Sequence, residues 1–187
     1  VMYSDSTLTP REAIRLCALG TLAGRPKTAS SPMTYDELAQ AVRHFVSRIT
    51  GPSLDLMGES IEPLRFEGLA ETEDNSDNSN PILFITQAGL DTLEMLLLAN
   101  IRPGGSDFNE LVFALKFHFF HHLSKIQQVN QIDLIMEICE TELARFEDLI
   151  DHHNSDPGHI TGWLEHNITR VKSRLEWLKL FKLNLDK

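Results

Sequence analysis

His118, His121 and His122 come closest in this sequence to a reactive set. Imidazoles at i and i+4 share one helix face, the spacing of a helical metal site. A tight site needs more donors, and no Glu or Cys joins them locally; the neighbours are Phe117, Phe119 and Phe120. These histidines read as the polar edge of a packing helix. A second group, His152, His153 and His159 with Asp151 and Asp156, surrounds Asp156-Pro157-Gly158, a polar inter-helix loop. There, solvated side chains with at most a weak metal or pH response are expected. No metal and no other cofactor is predicted. Cys17 and Cys139 lie far apart in apolar helical patterns, which argues against a disulfide and for a reducing, cytoplasmic setting. The sequence has no phosphate-binding glycine loop, nucleophile elbow or cysteine–histidine pairing, so no enzymatic activity is expected. Trp163 and Trp177, fourteen residues apart, read as core or interface rather than a ligand cage.

The remaining chemistry is electrostatic. Among 187 residues, 27 Asp and Glu outweigh 17 Lys and Arg, for a net charge of -10. That balance excludes a general nucleic-acid coat or a membrane-surface binder, because both need a positive field. It leaves room for a local basic strip, for which the candidates are Arg25, Lys27, Arg43, Arg48 and Arg65. Ser53, Ser60 and Asn80 could add neutral contacts to phosphates or base edges. No stretch approaches the ~18 apolar residues of a membrane span, and the opening VMYSDSTLTP lacks the pattern of a signal peptide.

The elements that must position these residues are marked by clear start and stop signals. Thr9-Pro10-Arg11-Glu12 predicts a helix that carries Ile14, Leu16, Cys17, Leu19 and Leu22 and stops at Gly24. Thr34-Tyr35-Asp36-Glu37 opens another, through Leu38, Val42 and Phe45 to about Ile49, before Gly51-Pro52. From Ser53 a short helical pattern runs through Leu54, Met57, Ile61 and Leu64 to Gly68, with Pro63 inside it. Ile82 to Thr86 is a short β-branched strand, so about 69–86 reads as a hairpin with a long polar tip. Thr86 then caps a helix that carries Leu90 through Ile101. Arg102-Pro-Gly-Gly-Ser106 is the best linker signal, which divides the chain into 1–101 and 102–187. Beyond it every signal is helical: an aromatic-rich helix from Asp107, one from about Gln128 to His152, and a last one with Leu164, Ile168, Val171, Leu175 and Leu178 at coiled-coil spacing.

Helix, helix, helix, hairpin, helix is the order of a winged helix-turn-helix. Ile61-x-x-Leu64-x-x-x-Gly68-Leu69 resembles the end of a recognition helix, and Leu83-Phe84-Ile85-Thr86-Gln87-Ala88-Gly89 resembles the wing-return strand of the PadR family of transcriptional regulators. The stretch Leu16 to Gly24, with Tyr35-Asp36-Glu37-Leu38, is similar to that family's first two helices. The helical C-terminal part looks like its dimerisation domain. The resemblance implies a mainly α protein, a winged domain followed by an all-helical dimerisation domain. It further implies a bacterial, cytoplasmic, homodimeric transcription factor that binds double-stranded DNA. The factor would answer to a small molecule, such as a hydrophobic effector, or to a cellular signal. Residues expected at the dimer interface are Phe108, Leu111, Leu115 and Phe119 on the aromatic helix. The others are Leu164, Ile168, Val171, Leu175 and Leu178 on the last helix.

The local charge pulls the other way. The third helical segment carries Asp55, Glu59, Glu62 and Glu67 against Arg65 alone, and the hairpin tip carries Glu71, Glu73, Asp74 and Asp77 with no Lys or Arg. Negative charge facing phosphates is repelled. The alternative expectation is therefore a winged-helix interaction module that has lost DNA contact and binds a basic partner through its acidic face.

Overall fold

The computed structural model describes residues 5–25, 33–51, 62–73, 80–104, 107–153 and 158–185. It is mainly helical, with one small antiparallel sheet. Two compact units form: one comprises 1–100 with 106–123, the other 101–105 with 124–187. The linker signal suggests a cut at 102–106, whereas the packing keeps the segment after it with the first unit. Among the described residues, no helix is long and apolar enough to cross a membrane.

In the first unit, α1 (Pro10–Ala23) starts where the sequence indicates. The Thr9 hydroxyl accepts the Glu12 N–H at 3.3 Å, and the Glu12 carboxylate accepts the Thr9 N–H at 3.0 Å. This reciprocal cap satisfies two amides that a helix start leaves without partners. A two-residue strand, β1 (Met33–Thr34), precedes α2 (Tyr35–Thr50), which is capped by Thr34 and Glu37 in the same way. The short helix α3 (Pro63–Phe66) takes Pro63 in its first turn, where the missing N–H costs nothing. The part of the third helical pattern at 52–61, with Ser53 and Ser60, lies outside the described residues.

Strands β2 (Ala70–Thr72) and β3 (Ile82–Ile85) form the wing, antiparallel, with Leu83 facing Thr72. Sequence reasoning missed β1, which pairs with the other edge of β3 to give the order β1-β3-β2. Two residues are too short for a period-2 pattern to register.

Helix α4 (Gln87–Leu97) ends earlier than its apolar run suggests, and α5 (Asp107–Phe119) runs into a 3-10 turn at Phe120–His122. Helix α5 packs on α1 and α2. A Cβ at Gly20 would lie 2.6 Å from the Phe119 ring, so the glycine provides the seat for that ring. Leu111, Leu115 and Phe119, expected at an interface between copies, are buried by the chain itself, and Phe108 is half-buried. Apolarity says that a helix face is covered without saying by which partner.

The second unit is an antiparallel helical hairpin, α6 (Lys125–His153) against α7 (Ile160–Leu185). Its antiparallel direction is visible in pairs that converge from opposite ends: Asp133 with Lys182 at 2.5 Å and Glu147 with Lys172 at 3.1 Å. Leu164, Val171, Leu175 and Leu178 are buried and Ile168 is half-buried. The seam read as intermolecular is thus largely closed within one chain. The face of α7 that stays open carries Trp163, Trp177, Leu180 and Leu183, which are 56%, 48%, 62% and 60% exposed.

Candidate nucleic-acid interface

The winged unit is built so that α3 and the wing leave one hinge. Gly68 has φ +72°, in the left-handed region that glycine enters without a Cβ penalty, and it turns the chain from α3 into β2. The Leu69 N–H donates to the Leu64 carbonyl at 2.8 Å, while the Leu64 side chain is buried beneath the turn. Thr86 closes the other side. Its hydroxyl donates to the Gly68 carbonyl at 2.7 Å and accepts the Gly89 N–H at 3.0 Å, and its own N–H donates to the Leu69 carbonyl at 3.1 Å. Thr86 thereby caps α4 and holds the base of the wing at once. Helix α4 can come this close only because residue 89 has no side chain: a Cβ there would sit 2.2 Å from the Leu69 carbonyl oxygen. The spacing Thr86-x-x-Gly89 is therefore a mechanical requirement.

Helix α3 is also tied to α1. Arg15 donates to the Glu67 carboxylate at 2.7 Å, with the arginine side chain only 17% exposed. One of the acidic charges that weigh against DNA is thus compensated within the unit. Between α3 and β2 runs an open groove walled by Arg65, Phe66, Ala70, Glu71 and Thr72.

Of the residues expected to meet DNA, Arg25, Arg43, Arg48 and Arg65 are described and exposed. Arg43, Arg48 and Arg65 have no acidic partner among the described residues. Arg25 lies close enough to Glu37 to help hold its carboxyl below the usual range, after the larger effect of the bonds from the Thr34 N–H and hydroxyl. Asn80 instead serves the fold. Its side-chain oxygen accepts the Asp36 N–H at 3.0 Å, linking the strand-side loop to the start of α2. Lys27, Ser53 and Ser60 lie outside the described residues.

Sequence reasoning missed neighbours on α2. Gln40, His44 and Ser47 are exposed on the same outward side as Arg43 and Arg48, opposite the buried Leu38, Val42 and Val46. The signal was available in the helical spacing, because 40, 44, 47 and 48 fall on one face.

The histidines assemble no metal site among the described residues. His118 stacks on Phe45 of α2, with centroids 5.1 Å apart and planes 17° from parallel. His121 and His122 lie ring against ring at 4.1 Å, and His122 Nε2 is buried without a hydrogen-bond partner. Burial, then the neighbouring His121, holds His122 below the ordinary imidazole range. His152 Nδ1 lies 2.8 Å from the Asp148 carbonyl one turn back, a contact that raises its pKa, followed by the Asp148 charge. Both cysteines are buried and neither is in a disulfide, and burial pushes the Cys17 thiol up to about 12, outside the range of a reactive thiolate.

No curated protein matches the chain. Among solved structures, it is similar to Bacillus subtilis PadR at 14% identity, with 97% of this chain and 99% of that one covered and a TM-score of 0.37. It is likewise similar to Bacillus subtilis PadR in complex with operator DNA, at 15% identity, 92% and 98% coverage and a TM-score of 0.35. The family model described as "Putative AphA-like transcriptional regulator" matches residues 3–182. With nearly its whole length matched, this winged-helix chain belongs to the family of AphA-like transcriptional regulators.

Proposed function

We propose that the protein regulates transcription in a bacterial cytoplasm by binding double-stranded DNA as a homodimer. The observation that carries this reading is the trio Arg43, Arg48 and Arg65. All three are exposed on the winged unit without an acidic partner among the described residues, while Arg15 absorbs the charge of Glu67. Unpaired surface arginines on a helix-turn-helix scaffold are suited to phosphate oxygens. Response to a small molecule or cellular signal belongs to this reading on the family resemblance alone.

The test is a titration of labelled duplex, taken from the gene's own upstream region, against salt. Affinity is expected to fall with a log–log slope of about -0.9 per phosphate contact. Arg48→Ala should lower that slope by about two per dimer, one contact per protomer, with sequence preference kept. Absence of binding to any duplex at low salt overturns the reading in favour of the interaction module.

For the dimer, the support comes from the open face of α7 rather than from its buried seam. Trp177, Leu180 and Leu183 form an exposed apolar patch on its C-terminal half. Trp177→Glu with Leu180→Glu is expected to yield folded monomers by sedimentation. Val171→Asp with Leu175→Asp should instead unfold the hairpin, since each buries a charge. A Trp177/Leu180 variant that still sediments as a dimer places the contact elsewhere.

A further inference from the structure

We infer that the 3-10 turn Phe120–His122, at the end of the winged unit, is an acid-released latch triggered through the paired rings of His121 and His122. The latch operates whether or not the protein binds DNA. Three observations carry it.

The first is the setting of the pair. The His121 and His122 rings lie 4.1 Å apart between centroids, with their planes 41° from parallel. His122 Nε2 is buried without a hydrogen-bond partner, so a proton added there meets no acceptor. Two imidazolium rings at this separation also repel each other.

The second is the company the pair keeps. Helix α5 packs on the turn, and its nearest titratable groups in sequence are Lys116 and His118. Both are engaged elsewhere. Lys116 donates to the Leu97 and Ala99 carbonyls, and the His118 ring stacks on Phe45 of α2. The other ring beside His122 is Phe119, with centroids 6.4 Å apart, and α1 meets Phe119 at Gly20, which has no side chain. Burial, and then the charge of His121, holds His122 below the ordinary imidazole value of 6.5.

The third is what the turn holds. The Leu123 N–H donates to the Phe120 carbonyl at 2.9 Å and closes it. Buried Phe120 packs edge-on against Phe117, while Phe119 fills the seat at Gly20. Opening the turn gives His122 to water and loosens that plug. Above about pH 6.5 the His122 ring is neutral in the closed and the open turn alike, and closure is undisturbed. Below that value the open turn takes up the proton before the closed one does, so closure weakens as the pH falls.

The test is amide exchange on the whole chain, followed by nuclear magnetic resonance and corrected for the intrinsic rate at each pH. Protection of the Leu123 amide is expected to fall several-fold, to about tenfold for one proton, between about pH 7.5 and about pH 5.5. The Leu90 amide, bonded to the Thr86 carbonyl in the first turn of α4, should keep its protection. His122→Phe keeps a ring that cannot be protonated, so the acid loss at Leu123 should vanish. In the wild type the His122 ring itself should titrate below 6.5. If His122→Phe alters the melting curve, that titration decides. An acid-insensitive Leu123 amide in the wild type overturns the latch, as does an equal loss at Leu90. So does a full acid loss in a normally folded His122→Phe, or a His122 ring that titrates at or above 6.5.

Discussion

Replacing Gly89 with alanine should destabilise the winged unit by about 3 kcal/mol, among the largest effects of a single methyl group in this chain. The added carbon would fall 2.2 Å from the Leu69 carbonyl oxygen and 2.7 Å from Ile85 Cγ1. The first neighbour is backbone at the base of the wing, held by the Thr86 N–H at 3.1 Å, so it cannot swing aside as a long side chain would. Relief requires α4 to back away from β2, which breaks the contact between the Thr86 hydroxyl and the Gly68 carbonyl. Thermal melting measures the cost. Gly158→Ala supplies the comparison, because that site is open but has φ +129°, so its cost is backbone strain alone. A Gly89→Ala melt equal to wild type would show that the α4–wing contact yields freely.

The second large effect belongs to Lys116, which is 0% exposed in the last turn of α5. Its ammonium donates to the Leu97 carbonyl at 2.5 Å and the Ala99 carbonyl at 2.7 Å, at the end of α4 where carbonyls lack helical partners. Burial pushes its pKa down to about 7, from 10.5 for a solvated lysine. Below pH 7 both the folded and unfolded chains hold this proton, and the folded state bears the full desolvation penalty. Between about pH 7 and 10.5 the unfolded chain binds the proton and the folded one does not, so stability rises with pH across that window. A shift of this size corresponds to a rise on the order of 5 kcal/mol. Lys116→Met keeps the length of the side chain and abolishes the titration. The difference in unfolding free energy between wild type and Lys116→Met should therefore grow in favour of wild type from pH 7 to 10. A pH-independent difference would mean that water reaches the ammonium in the native state.

The elements were legible in the sequence because their ends are chemically marked. Thr9/Glu12 and Thr34/Glu37 form the capping boxes that their spacing announces, and Thr86 caps α4 as expected. The order of helices and hairpin was legible for the same reason. Tertiary pairing was less so. The stripe of Leu164, Val171, Leu175 and Leu178 fits a partner helix of either origin, and α6 of the same chain supplies it. Lys116 was hidden by its type, although its place on the apolar face of α5, one turn after Val112, marked it for burial. At the candidate site, the arginines were visible as charges, while the face that groups them with Gln40, His44 and Ser47 depends on which side of α2 is buried. Asn80 looked like a free polar group until the fold brought it to the N-terminus of α2, 44 residues away in sequence.

The seating of Phe119 on Gly20 and of Lys116 on the α4 carbonyls sets the smallest transplantable module. Severed at the glycine-rich linker, the winged half would carry a bare aromatic socket along α1 and uncovered carbonyls at its far end. Carried through Leu123, the same half takes its own plug with it. Any hybrid that borrows this winged unit must therefore join after Leu123, not at the linker that looks like the seam.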